Sequence, residues 1–360
     1  MTDATTRLTE LLGIRHPIVL GPFGGLSSVE LTATVSELGG LGSYGLYGYD
    51  AERILATGAA IRAATSAPFN VNLWLPLATD AAPAPDAFGR AVAAVRPIFD
   101  ELGVRVPEAP PERFLPPFEE QWDAVLELRP AVASFVFGVP PAEVVEGARE
   151  RGISLIGTAT TVDEAVALAD GGVDAIVATG LEAGGHRVAF RRRAEQVLVG
   201  SISLIPQVVD AVDLPVIAAG GIADRRGVAA AIALGAGGVQ VGTAFLRTRQ
   251  SATTDGHRRA IEQAAAEDTV LTRAMSGRLA RGAANRAVRE IEEAGAIAPF
   301  PMQNWLTGRF RAEAEKAGRS DLQSLWMGQS ARLATHDDAR DVFAELLAGV
   351  PAAAGSVGAA

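Results

Sequence analysis

An alternation of short apolar runs with helix-like runs constrains the fold of this 360-residue chain more than any other feature. Eight apolar runs have the character of β-strands, and a helix or a longer helix-containing segment follows each of them. The predicted strands are Ile18–Leu20, Leu41–Tyr44, Phe69–Leu73, Ala131–Phe137, Ile153–Ile156, Ala175–Ala178, Val216–Ala219 and Gly238–Val241. Strands that alternate with helices indicate a parallel sheet, and eight such units predict a (β/α)8 TIM barrel of the α/β class.

An open, doubly wound sheet is the alternative fold. A dinucleotide-binding sheet of that kind carries Gly-x-Gly-x-x-Gly after its first strand. The first predicted strand is followed instead by Gly21-Pro22-Phe23-Gly24-Gly25, so the barrel is favoured.

Two segments interrupt the repeat. One is rich in proline and alanine, with a helix predicted near Asp86–Leu102, and the other follows the eighth predicted strand. A loop as long as the first is usually functional or mobile. The predicted divisions are a barrel over residues 1–250 with an insertion at about 78–117, a smaller α/β domain on the substrate side over 251–325, a return to the barrel with a closing helix over 326–350, and a flexible tail over 351–360.

Composition narrows the function classes. The chain has no cysteine, which excludes disulfides and thiolate catalysis, and a net charge of −10, which argues against a nucleic-acid partner. We see no apolar run of membrane-spanning length and no signal-peptide pattern at the N-terminus. We therefore expect a cytoplasmic protein that acts on a small molecule, with neither nucleic acid nor membrane as partner. The oligomeric state stays open, a homodimer included.

Glycine-rich stretches stand at the ends of three predicted strands: Thr179–Arg187, Ala218–Ile222 and Gln240–Thr243. Glycine lets main chain approach a ligand closely. In a barrel, phosphates favour the loops after strands seven and eight, which here contain Gly220-Gly221 and Gly242-Thr243. Their N–H groups, the Thr243 hydroxyl and the helix that Asp224 caps predict a phosphate site.

His186 is the candidate catalytic residue, because it lies on a glycine-rich loop after a strand and can exchange a proton near neutral pH. We find no histidine or carboxylate at metal-ligand spacing from it, so we expect no metal. Glu182, on the same loop, could contact a ligand, but a structural pair with Arg187 is favoured. On the third predicted strand, the period-two spacing of Asn70 and Asn72 points both amides towards the barrel mouth.

Several longer segments carry a resemblance to one family. They are Gly180–Arg187, Leu204–Asp210, Pro215–Asp224, Gly238–Leu246, Ser276–Gly282 and Trp326–Gln329. On these segments the chain resembles the nitronate monooxygenases, formerly called 2-nitropropane dioxygenases, which are FMN-dependent (β/α)8-barrel enzymes. The similarity extends over nearly the whole chain.

The resemblance implies that FMN lies across the barrel mouth and that His186 orients a nitronate or takes a proton from a neutral nitroalkane. Oxygen would be the oxidant, and a carbonyl compound and nitrite the products. Gly220, Gly221, Gly242 and Thr243 would hold the phosphate. The full set of expected cofactor-binding residues is Pro22, Phe23, Gly24, Asn72, Thr179, Gly184, Gly185, Gly220, Gly221, Gln240, Gly242, Thr243 and Gln329.

The chain also departs from the family pattern. Thr179 stands where the family usually has a glutamine that contacts the flavin, and Asn70 where glycine is commoner. The main functional alternative is an FMN-dependent NAD(P)H reductase of the enoyl-acyl-carrier-protein or quinone type on the same scaffold. A flavin-binding protein without turnover and a phosphate-binding barrel without flavin are further alternatives. An inosine-phosphate-dehydrogenase type of barrel needs a catalytic cysteine that this chain lacks.

Overall fold

Eight parallel strands form a ring in the structure, a computed structural model that describes residues 3–77, 84 and 86–351. The strands of the described residues are β1 (Ile18–Leu20), β2 (Gly42–Gly45), β3 (Phe69–Trp74), β4 (Val132–Val136), β5 (Ser154–Ala159), β6 (Ala175–Thr179), β7 (Gly185–His186), β8 (Val216–Ala219), β9 (Gly238–Val241), β10 (Thr269–Thr272) and β11 (Ala280–Ala283). The ring has the order β1-β9-β8-β6-β5-β4-β3-β2. The predicted (β/α)8 TIM barrel is confirmed.

Leu41 closes the ring just before β2 begins. Its N–H donates to Ile18 O and its carbonyl accepts from Leu20 N, both at 2.9 Å. Each of the eight predicted strands overlaps an observed one, with ends that differ by up to three residues. Short strands that are buried on both faces explain this agreement, because they appear in the sequence as brief apolar runs.

Helices surround the ring and extend beyond it. They are α1 (Asp3–Leu12), α2 (Val29–Glu37), α3 (Ala51–Ala64), α4 (Ala87–Glu101), α5 (Phe118–Leu128), α6 (Ala142–Arg151), α7 (Val162–Asp170), α8 (Ser201–Ala211), α9 (Arg225–Ala233), α10 (Thr243–Leu246), α11 (Asp255–Gln263), α12 (Arg286–Ala294), α13 (Met302–Lys316) and α14 (Ala339–Leu347). Thr161 caps α7 and Asp224 caps α9 through their side-chain oxygens, as expected.

Helix α1 covers the end of the barrel opposite the glycine-rich loops, and we did not predict it. Its Leu8 and Leu12 join the inward-facing side chains of the strands, such as Val19, Ile156 and Ile217, in one buried cluster. The barrel interior is therefore a packed core rather than a channel. This core fixes the strands whose opposite ends carry the candidate site.

The insertion and the segment after the barrel share a hydrophobic core. Helix α4 packs on α12 and α13, and the fully buried rings of Phe99 and Phe310 meet edge to face, with centroids 5.6 Å apart. Glu101, at the end of α4, pairs with Arg286 and Arg319. Residues 78–83 and 85 of the insertion lie outside the described residues. The division into domains stays a prediction.

A small antiparallel sheet joins the post-barrel segment to the histidine loop. Its order is β10-β11-β7, and in it His186 lies opposite Ala280. This pairing fixes a loop that glycine alone would leave free. Within the described ranges, we find no helix with the length and apolar character that a membrane crossing requires.

Candidate active site

A cavity of about 460 Å³ opens at the carboxyl ends of the barrel strands. Its volume lies in the range of ordinary small-molecule sites. Of the predicted site residues, the following line it: Pro22, Phe23, Gly24, Asn72, Thr179, Gly184, Gly185, His186, Gly220, Gly221, Gln240, Gly242 and Thr243. Gln329 does not line it; its N–H donates to Glu182 O at 3.0 Å, and its neighbours Gly328 and Ser330 reach the cavity instead.

Backbone conformation in one place and close packing in another explain why glycine occupies two parts of this lining. Gly220 and Gly221 have φ of +98° and +76°, a region that L side chains rarely adopt. A Cβ on Gly184 would lie 2.5 Å from the carbonyl carbon of Met327, so a larger residue would push the histidine loop away from the segment that follows Trp326.

The two asparagines of β3 differ in position. Asn72 lines the cavity, and its Nδ2 donates to Ser134 O at 3.1 Å and Ser134 Oγ at 3.0 Å. This arrangement leaves Oδ1 as an acceptor on the cavity side. Asn70 does not reach the cavity, contrary to expectation, because it lies one layer deeper and its Nδ2 donates to the Ser43 and Ser134 hydroxyls.

Carboxylates of the chain itself occupy two helix N-termini near the glycine loops. Asp224 accepts from the first amides of α9. The N-terminus of α9 is therefore not available to a phosphate, although the sequence predicted that it would contribute to a phosphate site. Glu182 accepts from Ser201 N at 2.9 Å and Ser201 Oγ at 2.8 Å at the start of α8. Anion binding in the cavity must therefore depend on the glycine loops and on side chains.

Arg187 does not form the expected hydrogen-bonded pair with Glu182. Its buried guanidinium donates to Gly180 O at 2.7 Å and more weakly to Thr179 O. Arg281 donates to Leu181 O at 3.0 Å. Two arginines thus hold the carbonyl groups at the start of the histidine loop.

His186 faces the cavity with its ring held on three sides. Its Nε2 lies 2.8 Å from Ser276 Oγ, and the ring centroids of Trp74 and Trp326 lie 5.0 and 5.5 Å away. Burial, with the nearby charges of Arg278 and Arg311, lowers the pKa of His186 to about 3. The imidazole is therefore neutral at physiological pH, a hydrogen-bonding group and a weak base.

Sequence reasoning missed the aromatic wall beside His186. Tyr47 and Trp74 line the cavity with their ring centroids 4.3 Å apart, and Arg278 lies 3.9 Å from the ring of Phe300. Trp74 was accessible to sequence reasoning, because it lies two residues beyond Asn72 on the same strand face. Tyr47 lies in a loop with no such pattern.

Two polar residues from outside the barrel also reach the cavity. Asn304 and Arg311 lie on α13, seven residues and so two turns apart. This spacing places them on one helix face, but the sequence does not show that this face turns to the barrel.

His257 helps to fix the position of Trp326 through the main-chain carbonyl group of that residue. It is buried on α11, and its Nε2 lies 2.9 Å from Trp326 O. Burial lowers the pKa of His257 to about 4, which favours the neutral ring as donor to that carbonyl. In the part of the chain that the structure describes, no group of three potential metal ligands occurs.

Comparison with known proteins identifies the family. The family model described as nitronate monooxygenase matches residues 5–349. A probable nitronate monooxygenase of Staphylococcus aureus is 40% identical over 347 residues, which are 95% of this chain and 96% of that protein. A probable nitronate monooxygenase of Staphylococcus saprophyticus is 39% identical, over 92% of this chain and 94% of that protein.

Solved structures show the same similarity. A nitroalkane oxidase from Streptomyces ansochromogenes superposes with a TM-score of 0.87 at 35% identity, over 95% of this chain and 97% of that one. FabK from Thermotoga maritima gives 0.73 at 29% identity, over 95% and 94%. The fold and these relatives define an oxidoreductase barrel. The chain belongs to the nitronate monooxygenase family.

The lowered pKa of His186 predicts a pH dependence of stability. Below about pH 6.5 the imidazole binds a proton in the unfolded chain, whereas in the folded chain it binds one only near pH 3. The free energy of unfolding therefore falls as the pH falls through this range. His186→Asn removes this contribution. We expect the melting temperature of the variant to fall less than that of the wild type between pH 7.5 and 5.0, where ordinary carboxyl groups stay ionised. Equal falls in both proteins would contradict the lowered pKa.

Proposed function

We propose that this chain uses FMN to oxidise alkyl nitronates with oxygen, giving a carbonyl compound and nitrite. The observation that carries the proposal is the neutral His186 on a glycine-rich loop, beside cationic side chains at the end of a cavity in a nitronate monooxygenase barrel. An anionic substrate fits such surroundings, because the cationic side chains attract it and a neutral imidazole N–H can donate a hydrogen bond to it.

The cavity lining fits FMN at both ends. At one end Gly220, Gly221 and Gly242 leave room for main chain to approach a phosphate. Thr243 Oγ1 accepts from Gly328 N at 3.0 Å, which leaves its own proton to donate. At the other end Asn72 Oδ1 is an acceptor for a ring N–H. Bound FMN would supply the capacity to take electrons from the nitronate and pass them to oxygen.

Thr179 makes a weaker contribution to the ring than a glutamine would. It lines the cavity, but its side chain is short, and Thr158 on β5 and Ser134 on β4, the next two strands of the ring, also line the cavity. Three hydroxyl-bearing residues thus replace one long amide. We propose that together they form the polar floor beneath the cofactor.

His186 orients the substrate in this proposal. Ser276 holds its Nε2, and Trp74 and Trp326 fix the ring plane. With a pKa of about 3, the imidazole is poorly suited to take a proton from carbon at neutral pH. Nitronates, which have already lost that proton, are therefore the preferred substrates over neutral nitroalkanes.

Oxygen uptake tests the proposed reaction. We expect FMN-loaded protein to consume oxygen and release nitrite with ethyl nitronate and no nicotinamide, and to be slower with neutral nitroethane. An oxygen electrode and a nitrite assay measure both. Protein that binds FMN, ignores the nitronate and oxidises NAD(P)H would instead be a reductase on the same scaffold.

The role of His186 is tested by truncation. His186→Ala should keep FMN and lose about 10²–10³-fold in kcat/KM for ethyl nitronate, the usual effect of removing one aligned hydrogen-bonding group. Flavin absorbance and steady-state kinetics measure the two effects. Unchanged kinetics would remove His186 from the mechanism.

The phosphate position is tested at Gly221. Gly221→Asp should purify with little FMN, because its carboxylate would repel a phosphate and its side chain is strained at a φ of +76°. Gly221→Asn is the matched control, since it has the same size and strain without the charge, and it should retain more FMN. The ratio of bound flavin to protein after desalting measures this. Equal flavin in both variants would place the phosphate elsewhere.

A further inference from the structure

Arg311 is a mostly buried cation that reaches the cavity from α13. Its Nη1 donates to Ser324 Oγ at 2.7 Å, and its Nη2 donates to Asn304 Oδ1 at 2.8 Å and Asn304 O at 3.1 Å. All these acceptors are neutral. Burial lowers the pKa of Arg311 to about 10, so the guanidinium stays charged at neutral pH.

Within the described ranges of the chain, this charge has no counter-ion. Among the described residues no carboxylate forms an ion pair with Arg311, and its buried Nε has no hydrogen-bond partner. Glu182 is the one carboxylate among the described residues that line the cavity, and Ser201 already engages it. A buried charge without a counter-ion is costly, and an anion in the cavity would offset that cost.

Asn304 connects Arg311 to the aromatic wall. Its Oδ1 accepts from Arg311, and its Nδ2 donates to the Tyr47 hydroxyl at 3.1 Å. Tyr47 packs on Trp74, and Trp74 meets His186 edge to face. Arg311, Asn304 and Tyr47, here called the α13 arm, therefore approach the same end of the cavity as His186.

We propose that the α13 arm binds the negatively charged head of the substrate, with Arg311 as the residue that selects an anion over its neutral form. This inference rests on the proposed function and assigns substrate recognition to residues outside the barrel. His186 and the arm act from two sides of the same space. The insertion determines the position of the arm, because α4 packs against α13.

Binding of an unreactive anion tests the arm apart from turnover. Propanoate matches ethyl nitronate in shape and charge, and propanamide is its neutral counterpart. We expect calorimetry on the FMN-loaded protein to show propanoate binding at least tenfold tighter than propanamide. Arg311→Gln should abolish that preference, and Arg311→Lys, which keeps a cation, should restore part of it.

Kinetics on ethyl nitronate give a second readout. Arg311→Gln should raise KM by about tenfold to a hundredfold, the usual range for losing hydrogen bonds to a charged group, with a much smaller change in kcat. Tyr47→Phe, which keeps the stacking on Trp74, should raise KM less. Arg309→Gln is the matched control, because Arg309 lies on the same helix, is exposed and contacts Trp305 outside the cavity lining.

The outcomes separate this inference from the proposed function. Oxygen uptake with ethyl nitronate and an unchanged KM in folded Arg311→Gln would overturn the arm and leave the reaction standing. Propanoate binding that depends on Arg311, without oxygen uptake, would support the anion site and overturn the reaction. A wild type that binds propanoate no better than propanamide would overturn the arm directly.

Discussion

The candidate site depends on the carboxylate of Glu182 and its contact with Ser201. That contact fixes the histidine loop at the start of α8, and the same hydroxyl oxygen lies 3.0 Å from Gly220 O. The main-chain carbonyl of Glu182 meanwhile accepts from Gln329. One residue thus ties together the loop that carries His186, the loop proposed to hold phosphate and the segment returning from the post-barrel region.

The same contact decides how the cavity can attract anions. Helix N-termini are ready anion sites, but Glu182 and Asp224 occupy those of α8 and α9 with charges from the chain itself. Full positive charges at the cavity therefore come from side chains. Arg53 and Arg311 line it, and Arg278 lies beside it against Phe300. In the proposed complex the glycine loops would supply shape and donors for a phosphate, while the arginines would supply positive charge.

Local patterns predicted most of the barrel and the glycine-rich part of the site. The strands were accessible because each is a short apolar run, and parallel strands bring their carboxyl ends to one edge, where Asn72, His186 and Gly221 meet. The small sheet was not accessible, since β7 has two residues and its pairing with β11 joins positions about a hundred apart. Arg311 was missed for a similar reason, because its place depends on the packing of α13 against α4 of the insertion, whereas Tyr47 lies in a loop with no periodic pattern. Asn70 shows the limit of the period-two rule, which predicts the strand face on which a side chain lies but not how deep in the barrel it lies.

The protonation state of His186 follows from this long-range packing rather than from its own loop. A histidine on an exposed glycine loop would titrate near its ordinary pKa of about 6.5. Here burial beside Trp74 and Trp326 disfavours the charged ring, and the charges of Arg278 and Arg311 disfavour a further cation. An anion bound between His186 and Arg311 would reverse part of that effect, because it neutralises the arginine and favours a proton on the ring. If the proposed anion binds there, its charge and the protonation state of the imidazole are coupled, and Arg278 and Arg311, which would couple them, come from the segment after the barrel.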